Sequence, residues 1–532
     1  MKIGVIELIE DTASKSWTDR IYRAFFKKYH ASITPQAVSV WCRQLGHQVW
    51  YATYYGQRDP VRLLPDELDV VFVASYTQAS ALAYALAKVY RMRKTLTVIG
   101  GPHAKAFPRD CLRFFDLAVQ DCDKTLIDDI LRGHFDRHTV ITSGRPLREI
   151  PSAEERMPEI IAASLVGGRL RRLSVVPLLS SVGCPYSCDF CVDWNNPYVL
   201  FPPELLEADL RYLARNWPGV MVTYHDPNFG VKFDQVLSIV EEIPKEKRSP
   251  YIIESSLSIL RGAKLRRLRD TKCLFIAPGV ESWNNYSNKA GVGATVGKAK
   301  LTQVVEHFRE IRQYVPGLQA NFLFGTDADQ GEEPVELTKE FIRAVPFVWP
   351  TINIPTPFGN TPLYDRALAN AQILQSMPFS FYYTPYLVTT MPHYPPLEYY
   401  DKLIDLYSTM TSNVMLKGRF GKESTLGFSL LNGLRTFAMR QDLAALRLLR
   451  RMLATDPEFL AFHEGRTRSL PEFYHRRYEQ KLGRYANLMS RAERTPELEK
   501  PASPLASTAP GGEVADRRTA VIRSRATDGF PR

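Results

Sequence analysis

The chain has 532 residues, 45% of them hydrophobic and 23% charged, which is an ordinary globular composition with apolar material for two to four domains of ~100–200 residues. The net charge is +11, and we interpret the arginine-rich segment 440–477 as a solvated helical face, with a basic surface for an anionic substrate or a membrane as the alternative. Seven cysteines without regular pairing and no signal peptide argue against a secreted disulfide framework. The sequence has no run of ~18 apolar residues, which argues against a transmembrane helix. These features predict a cytoplasmic protein, with peripheral membrane contact as a further possibility.

Residues 1–135 alternate short apolar runs with helical patterns. The apolar runs predict strands at residues 3–9, 48–54, 69–75, 96–100 and 117–120. This alternation predicts an α/β domain with a doubly wound, Rossmann-like parallel sheet, in which ligands bind at the carboxyl ends of the strands. Gly100 and Gly101 follow the fourth run. Glycines at that end of a sheet allow a large flat ligand to approach the backbone.

Residues 136–174 are rich in Arg, Pro and Ser, and we predict a linker there. A second alternating series follows, and its strands are predicted at residues 175–181, 220–224, 251–254, 273–280, 319–324 and 348–354. Six strand–helix units predict an open (β/α)6 barrel over residues 175–390, because eight units normally close one. Residues 391–492 are predicted to be mostly helical, and residues 493–532 to be a disordered tail.

Three cysteines form a cluster directly after the first predicted barrel strand. The segment reads Cys184-Pro185-Tyr186-Ser187-Cys188-Asp189-Phe190-Cys191. Thiolates ligate iron–sulfur clusters, and three of them leave one iron of a [4Fe–4S] cubane without a protein ligand, as a catalytic site requires. A zinc site is one alternative, although zinc sites usually show two paired clusters or a later His pair. A redox dithiol is another, although it needs no third cysteine.

The cysteine spacing, with Gly183 before the first cysteine and Phe190 before the third, resembles the radical S-adenosylmethionine (SAM) superfamily. Further segments resemble, in order, motifs of the subgroup that carries a cobalamin-binding domain. These segments are His225-Asp226-Pro227-Asn228-Phe229, Pro278-Gly279-Val280-Glu281-Ser282, Asn288-Lys289-Ala290-Gly291, Phe322-Leu323-Phe324-Gly325 and Thr356-Pro357-Phe358-Gly359-Asn360-Thr361-Pro362. The resemblance covers residues 1–390.

The resemblance implies that the cluster, held by Cys184, Cys188 and Cys191, binds SAM and, with an electron from an external flavodoxin- or ferredoxin-type donor, cleaves it to a 5′-deoxyadenosyl radical. The candidate SAM-binding residues are Asp226 and Asn228 for the methionyl ammonium, and Glu281 and Ser282 for the ribose or the methionyl group. The alternative for each is a helix N-cap or a partner of another site residue. His225 is either a proton carrier or a neighbour with its own partner.

The first domain resembles the cobalamin-binding domain of the same subgroup, and the resemblance implies that Gly100 and Gly101 contact this cofactor. The Asp-x-His-x-x-Gly segment whose His ligates cobalt in many cobalamin proteins is absent, and neither His47 nor His103 has its context. Segment 121–123 also departs from the subgroup's usual Gly-Glu-x-Glu. A degenerate domain that serves as a scaffold is therefore the alternative.

Three functions follow from these features. The first is a cobalamin-dependent radical methyltransferase that acts on an unactivated carbon of a small-molecule or lipid substrate. The second is a cobalamin-containing radical SAM cyclase or oxidoreductase without methyl transfer, and the third is a non-catalytic iron–sulfur protein. No RNA-binding module accompanies the barrel, so a nucleic-acid substrate is not expected. The aromatic segment 379–386 is interpreted as core packing, with a roof over an apolar substrate as the alternative.

Overall fold

The computed structural model describes residues 1–10, 32–56, 59–144, 147–166, 169–170, 175–421 and 425–500. These residues form two parallel six-stranded sheets in succession, followed by a helical region. Both sheets carry helices between their strands, as the alternating sequence pattern predicts.

The first sheet is the predicted doubly wound sheet. Its strands are β1 (Lys2–Leu8), β2 (Gln48–Tyr54), β3 (Val70–Ser75), β4 (Leu96–Gly100), β5 (Leu117–Val119) and β6 (Thr139–Ile141). Its helices are α1 (Ile33–Gln44), α2 (Ser80–Met92), α3 (Pro102–Ala106), α4 (Pro108–Leu112) and α5 (Lys124–Leu131). The strand order is β2-β1-β3-β4-β5-β6, with every pair parallel. The order reverses between β1 and β3, where such sheets open a ligand crevice.

The segment predicted as a linker contains regular structure. Strand β6 lies inside it and pairs with β5, and helix α6 (Met157–Ala163) follows. A strand of three residues is too short to show a periodicity, which is why the composition of this segment suggested a linker. Arg156, at the start of α6, is fully buried. It donates to Oε1 of Gln36 in α1 at 2.8 Å and to the carbonyl of Pro177 in the second sheet at 3.2 Å, so it joins the two sheets.

The second sheet is the predicted open barrel. Its strands are β7 (Val176–Leu178), β8 (Val222–Tyr224), β9 (Tyr251–Ser256), β10 (Cys273–Glu281), β11 (Gly317–Leu323) and β12 (Val348–Asn353). Its helices are α7 (Pro203–Asn216), α8 (Phe233–Glu242), α9 (Ala263–Asp270), α10 (Gly297–Arg312), α11 (Glu333–Ala344) and α12 (Pro362–Ala369). Consecutive strands are parallel neighbours from β7 to β12. Within the described residues β7 and β12 are edges that do not pair with each other.

The region after the barrel is mostly helical, as predicted. Its helices are α13 (Pro396–Met410), α14 (Asn413–Gly418), α15 (Leu426–Thr455), α16 (Pro457–His463), α17 (Glu472–Leu482) and α18 (Arg491–Arg494). Helix α15 covers the amino-terminal end of the barrel, where Phe428 stacks on Phe275 of β10 with ring centroids 6.2 Å apart. No helix among the described residues is long and apolar enough to cross a membrane.

Two segments near the end of the chain pack between the domains. Residues 493–500, predicted as part of a disordered tail, are ordered because they pair with the first domain: the backbone N–H of Glu497 donates to Asp110, and Glu499 accepts from the backbone of Arg109, both at 2.7 Å. Residues 501–532 of that prediction lie outside the described residues.

The aromatic segment 379–386 packs against the first domain: Phe379 stacks on Phe107 with ring centroids 3.7 Å apart. The side chain of Phe379 is buried, which agrees with the core-packing interpretation.

Candidate functional site

The cysteine loop lies at the carboxyl end of the barrel. It connects two short antiparallel strands, Ser181–Val182 and Val199–Leu200, directly after β7. Gly183 has a φ of +70°, and a Cβ at this position would lie 2.2 Å from the carbonyl oxygen of Pro197. Only glycine fits this turn, which explains the glycine before the first cysteine. The backbone N–H of Cys184 donates to the carbonyl of Asn196 at 3.2 Å and closes the base of the loop.

The three thiols are half-buried and form no disulfide. Burial raises the pKa of Cys188 to about 11 and also raises the pKa of Cys191, so a metal must displace their protons when it binds. No group of three His, Cys, Asp or Glu side chains within the described ranges converges on a single metal-ion position. A [4Fe–4S] cubane does not require such convergence, because each of its irons takes its own thiolate.

Asp226 and Asn228, which follow β8, lie under this loop and are buried. The carboxylate of Asp226 accepts hydrogen bonds from the backbone N–H of Ser180 at 3.0 Å and from the hydroxyls of Ser180 and Ser181. The amide of Asn228 donates to Sγ of Cys184 at 3.9 Å, and its oxygen accepts from the backbone N–H of Ser256 at 3.1 Å. Both side chains therefore hold the cysteine loop, and their predicted contact with the methionyl ammonium stays a prediction.

Glu281 and Ser282 lie at the end of β10. Glu281 has a φ of +66°, a conformation that costs ~1–3 kcal/mol in a residue with a side chain and is concentrated at functional sites. Its carboxylate lies 3.5 Å from Nζ of Lys289. Burial raises the pKa of Glu281, and the charge of Lys289 opposes that rise. The hydroxyl of Ser282 donates to Asp329 at 3.1 Å, so its polar atom already has a protein partner.

Lys289 is a site residue to which the sequence analysis assigned no role. Its Nζ lies 5.7 Å from the ring centroid of Phe190, within the cysteine loop. Burial opposes its charge, but the negative charge of Glu281, and that of the three cysteines when they are thiolates, outweighs burial and raises the pKa of Lys289. Lys289 is thus a permanent cation beside the loop, and a cation there favours the addition of an electron to a cluster. Its segment resembles a family motif, but no residue pattern indicated this contact.

Glu254 is a second residue that the sequence analysis missed. It lies on the central strand β9, where its neighbours Ile253 and Ser255 are buried while Glu254 itself is exposed. Because side chains alternate along a strand, Glu254 points into the barrel interior and not towards the surrounding helices. Desolvation by the enclosing residues raises its pKa, and Lys289 opposes the rise. A single acidic residue inside the apolar run 251–254 was the available signal.

The carboxyl ends of the two sheets face each other. Tyr76 directly follows β3 of the first sheet and is exposed. Although part of its surface is open, the protein atoms around Tyr76 desolvate its hydroxyl and raise its pKa, and the charges of Glu7 and Glu254 add to that rise. The hydrogen bonds of Asn360 to the end of the cysteine loop and to the carbonyl of Lys105 in α3 hold the two carboxyl ends together.

The segment 356–362 clamps the two domains together. The side-chain amide of Asn360 donates to the carbonyl of Lys105 in α3 at 2.7 Å. The indole N–H of Trp194, at the end of the cysteine loop, donates to the carbonyl of Asn360 at 2.6 Å. A Cβ at Gly359 would lie 1.9 Å from the carbonyl oxygen of Ala106, so the segment approaches α3 as only glycine permits. This family-like motif therefore connects the cysteine loop to the first domain.

The first sheet carries two consecutive glycines at the carboxyl end of β4, beside β3. Gly101 has a φ of +87°, and a Cβ there would lie 3.0 Å from the backbone nitrogen of Ser75 at the end of β3. Gly100 ends β4 beside it. Gly101 therefore lets α3 begin close against the end of β3. A Cβ at the half-exposed Gly100 meets no described atom nearer than 3.9 Å, so the open backbone at Gly100 fits a large flat ligand such as a corrin.

His103, two residues after Gly101, lies in the interior. Its Nε2 is 2.6 Å from the hydroxyl of Tyr84, which donates to Asp110 at 2.5 Å. Burial lowers the pKa of His103 to about 3, so the ring is neutral and its Nε2 is already engaged. Nδ1 of His103 is buried without a hydrogen-bond partner among the described residues, and the absence of a lower axial ligand at this position stays a prediction.

Comparisons with known proteins agree with this geometry. Residues 178–341 match the family model described as the Radical SAM superfamily. The bacteriochlorophyllide d C-8(2)-methyltransferase of Chlorobaculum tepidum is 24% identical over 71% of this chain and 85% of its own length. The hopanoid C-2 methylase of Rhodopseudomonas palustris is 25% identical over 35% of this chain and 36% of its own length.

A solved structure resembles both domains. The radical S-adenosylmethionine methyltransferase TsrM from Kitasatospora setae, with cobalamin and a [4Fe-4S] cluster bound, aligns with a TM-score of 0.52 at 13% identity, over 84% of this chain and 99% of that chain. At this identity the likeness shows a shared fold, and it confirms the predicted succession of a doubly wound sheet and an open barrel. The family match covers residues 178–341, which include the cysteine loop at the carboxyl end of the barrel, so this part of the chain is similar to the radical SAM superfamily.

Proposed function

We propose that this chain is a cobalamin-dependent radical SAM methyltransferase that acts on a carbon atom of a small-molecule or lipid substrate. The proposal rests on one observation: Asn360 binds both Trp194 of the cysteine loop, at 2.6 Å, and the carbonyl of Lys105 in α3 of the first domain, at 2.7 Å, so the carboxyl ends of the two sheets lie side by side. Because the two carboxyl ends lie side by side, a cofactor on each sheet would face the same substrate. Because the protein would hold SAM, cobalamin and the substrate next to each other, the reaction would not depend on a simultaneous encounter of all three in solution.

The names of the relatives support methyl transfer and an apolar substrate. Two relatives from Chlorobaculum tepidum are named for methylation of bacteriochlorophyllide d, and the relative from Rhodopseudomonas palustris is named for methylation of a hopanoid. The structural match over 84% of the chain is a methyltransferase with cobalamin bound. We therefore propose bacteriochlorophyllides and hopanoids as the first substrates to test.

Several residues would hold the cofactors. When bound, the cluster and SAM would supply a 5′-deoxyadenosyl radical, and cobalamin would supply the methyl group. We propose that Cys184, Cys188 and Cys191 ligate the cluster and that Gly100 and Gly101 contact the corrin.

The four predicted SAM contacts divide into two groups. We propose that Glu281 meets SAM directly, because only one of its carboxylate oxygens lies near Lys289. Asp226, Asn228 and Ser282 would act by positioning their neighbours, because their polar atoms already bind protein groups.

A protein reductant completes the proposal. The cysteine thiols are half-buried and not fully enclosed, so a cluster held by them would be within reach of an external donor. We propose a flavodoxin- or ferredoxin-type protein in the cytoplasm as that donor.

The test is anaerobic turnover of the reconstituted protein with cluster, methylcobalamin and SAM labelled in its methyl group, against the two substrate classes above. We expect label in the product, together with 5′-deoxyadenosine and S-adenosylhomocysteine. An altered but unlabelled product would favour the cyclase or oxidoreductase alternative. Absence of both nucleoside products would favour the non-catalytic iron–sulfur protein. A Cys188→Ala variant loaded with cobalamin serves as the matched control.

A further inference from the structure

Exposed apolar side chains are concentrated in one part of the molecule. Nine large hydrophobic residues are exposed among those described, and five of them lie within residues 414–437 with exposures of 50–78%. These five are Val414, Phe420, Leu426, Leu430 and Phe437. The other four are scattered over the rest of the chain. Concentrated exposed apolar surface of this kind marks an interaction site.

The five side chains lie on or beside one face of α15. Leu430 and Phe437 lie four and eleven residues after Leu426, and this spacing places all three on one face of α15. Phe420 reaches the same helix at Gly433, where a Cβ would lie 3.3 Å from its ring.

Arg440 links the two helices. Its guanidinium lies 5.0 Å from the ring centroid of Phe437 and donates to Asn413 at 3.0 Å, next to Val414. We call the surface formed by Val414, Phe420, Leu426, Leu430 and Phe437 the α14–α15 patch.

Basic side chains border the patch. Lys417 is exposed between Val414 and Phe420. Helix α15 contains five arginines and a single acidic residue, Asp442. Arg451 is exposed and lies fourteen residues after Phe437, on the same face of the helix.

The remaining arginines of α15 divide between the two sides of the helix. Arg447 is exposed, and no described carboxylate lies within ion-pair distance of Arg447 or Arg451. By contrast, Arg450 pairs with Asp401, and Arg435 packs over Trp349. The outward-facing charge beside the patch is therefore positive.

We propose that the α14–α15 patch docks the protein on the surface of a membrane that contains anionic lipids. Apolar side chains flanked by Lys and Arg are the pattern of helices that lie in the headgroup region, where apolar groups enter the acyl boundary and cations pair with phosphates. A second copy of this chain fits less well. A two-fold contact through the same patch would bring the arginines of both copies together, and like charges repel.

The position of the patch gives the docked protein an orientation. Phe428 and Arg435 of α15 contact Phe275, near the start of β10, so α15 lies at the amino-terminal end of the barrel. The cysteine loop lies at the opposite end. Docking would thus leave that end turned away from the lipid and accessible to other proteins. This inference does not depend on the proposed function.

Flotation of the full-length protein with vesicles tests the inference. We expect binding to phosphatidylcholine vesicles that contain phosphatidylglycerol, weaker binding to phosphatidylcholine alone, and a decrease at high salt. The double variant Leu430→Glu/Phe437→Glu should lose at least ~10-fold in partitioning, equivalent to ~1.4 kcal/mol. Met92→Glu, at a residue 68% exposed on α2, is the matched control and should bind as the unmodified protein does.

A second variant separates the charge contribution from the apolar one. Arg447→Glu/Arg451→Glu should remove the dependence on phosphatidylglycerol while leaving the weak binding to neutral vesicles. Circular dichroism of both variants verifies the fold. Equal binding by all variants, or no binding to anionic vesicles, would overturn the inference. So would a dimer in sedimentation experiments that Leu430→Glu/Phe437→Glu dissolves, because the occupant would then be a second copy.

Discussion

Replacing Arg156 with methionine removes a contact between the two sheets at nearly constant side-chain volume. Its guanidinium is buried and donates to three acceptors: the carbonyl of Pro151 at 2.9 Å, Oε1 of Gln36 at 2.8 Å and the carbonyl of Pro177 at 3.2 Å. Burial lowers the pKa of Arg156 to about 10, and the charge of Asp209 opposes the decrease. The group therefore stays charged at neutral pH.

The expected cost follows from these contacts. Hydrogen bonds from a charged donor contribute ~1.5–3 kcal/mol each, so three contribute ~4.5–9 kcal/mol. Methionine would recover several kcal/mol, because a charge no longer has to be desolvated. The net loss should be ~3–5 kcal/mol, because three buried acceptors lose their donor. For a domain of ~150–250 residues this corresponds to a decrease of ~6–20 °C in unfolding temperature.

Thermal unfolding followed by circular dichroism measures this loss. An Arg156→Lys variant is the control: it keeps the charge but lacks the planar fork that reaches several acceptors, so its decrease should be smaller. Unfolding within ~2 °C of the unmodified protein for Arg156→Met would refute the reasoning. The desolvation of the guanidinium would then cost as much as its hydrogen bonds contribute.

Three further predictions concern the cofactor sites and the pH dependence. Gly100→Leu should abolish retention of cobalamin on gel filtration, measured by corrin absorbance, whereas Gly427→Leu, at an exposed glycine of α15 with no described atom near its Cβ, should retain it. Asn228→Ala removes the hydrogen bond to Sγ of Cys184 and should lower the midpoint potential of the reconstituted cluster by ~20–60 mV. This shift is the equivalent of a hydrogen bond of ~0.5–1.5 kcal/mol in a one-electron couple. A redox titration followed by electron paramagnetic resonance measures it. Burial lowers the pKa of His463 to about 3, below its unfolded value of ~6.5, so its contribution to the free energy of unfolding is complete above pH ~6.5 and falls by up to ~1.4 kcal/mol per pH unit below that pH. His463→Phe should therefore remove this pH dependence from denaturant midpoints measured between pH 7.5 and 5.5. An unchanged dependence would contradict the assignment.

The barrel was predictable from the sequence because consecutive residues of its strands, on both faces, are mostly buried. Strand β10 is an example: most of residues 273–281 are buried, and a continuous apolar run is what such a strand requires. Strand β6 has only three residues, so no run of useful length exists. The pairing of β6 with β5 depends on tertiary contacts that local pattern does not encode.

Site residues that lie close together in the sequence could be predicted from their spacing. Site residues that only the fold brings together could not. Cys184, Cys188 and Cys191 lie within eight residues of each other, so their spacing alone indicated a shared ligand. Lys289 reaches the same loop from a segment almost a hundred residues later. A local sequence pattern does not indicate that Lys289 and the cysteine loop are neighbours in space. Glu254 lies between these cases, because an acidic residue in an apolar run indicates a face turned away from the core.

The contacts of the polar residues around the cysteine loop explain why the loop is shaped before any metal binds. Asp226 holds the residues that enter the loop through Ser180 and Ser181, and the carbonyl of Asn196 holds Cys184 from the other side. The thiols themselves do not converge on one point within the described residues. The protein thus fixes both ends of the loop that carries the three cysteines. A polar residue at the end of β8 can therefore support SAM chemistry without touching SAM, which is the role that the hydrogen bonds of Asp226 favour.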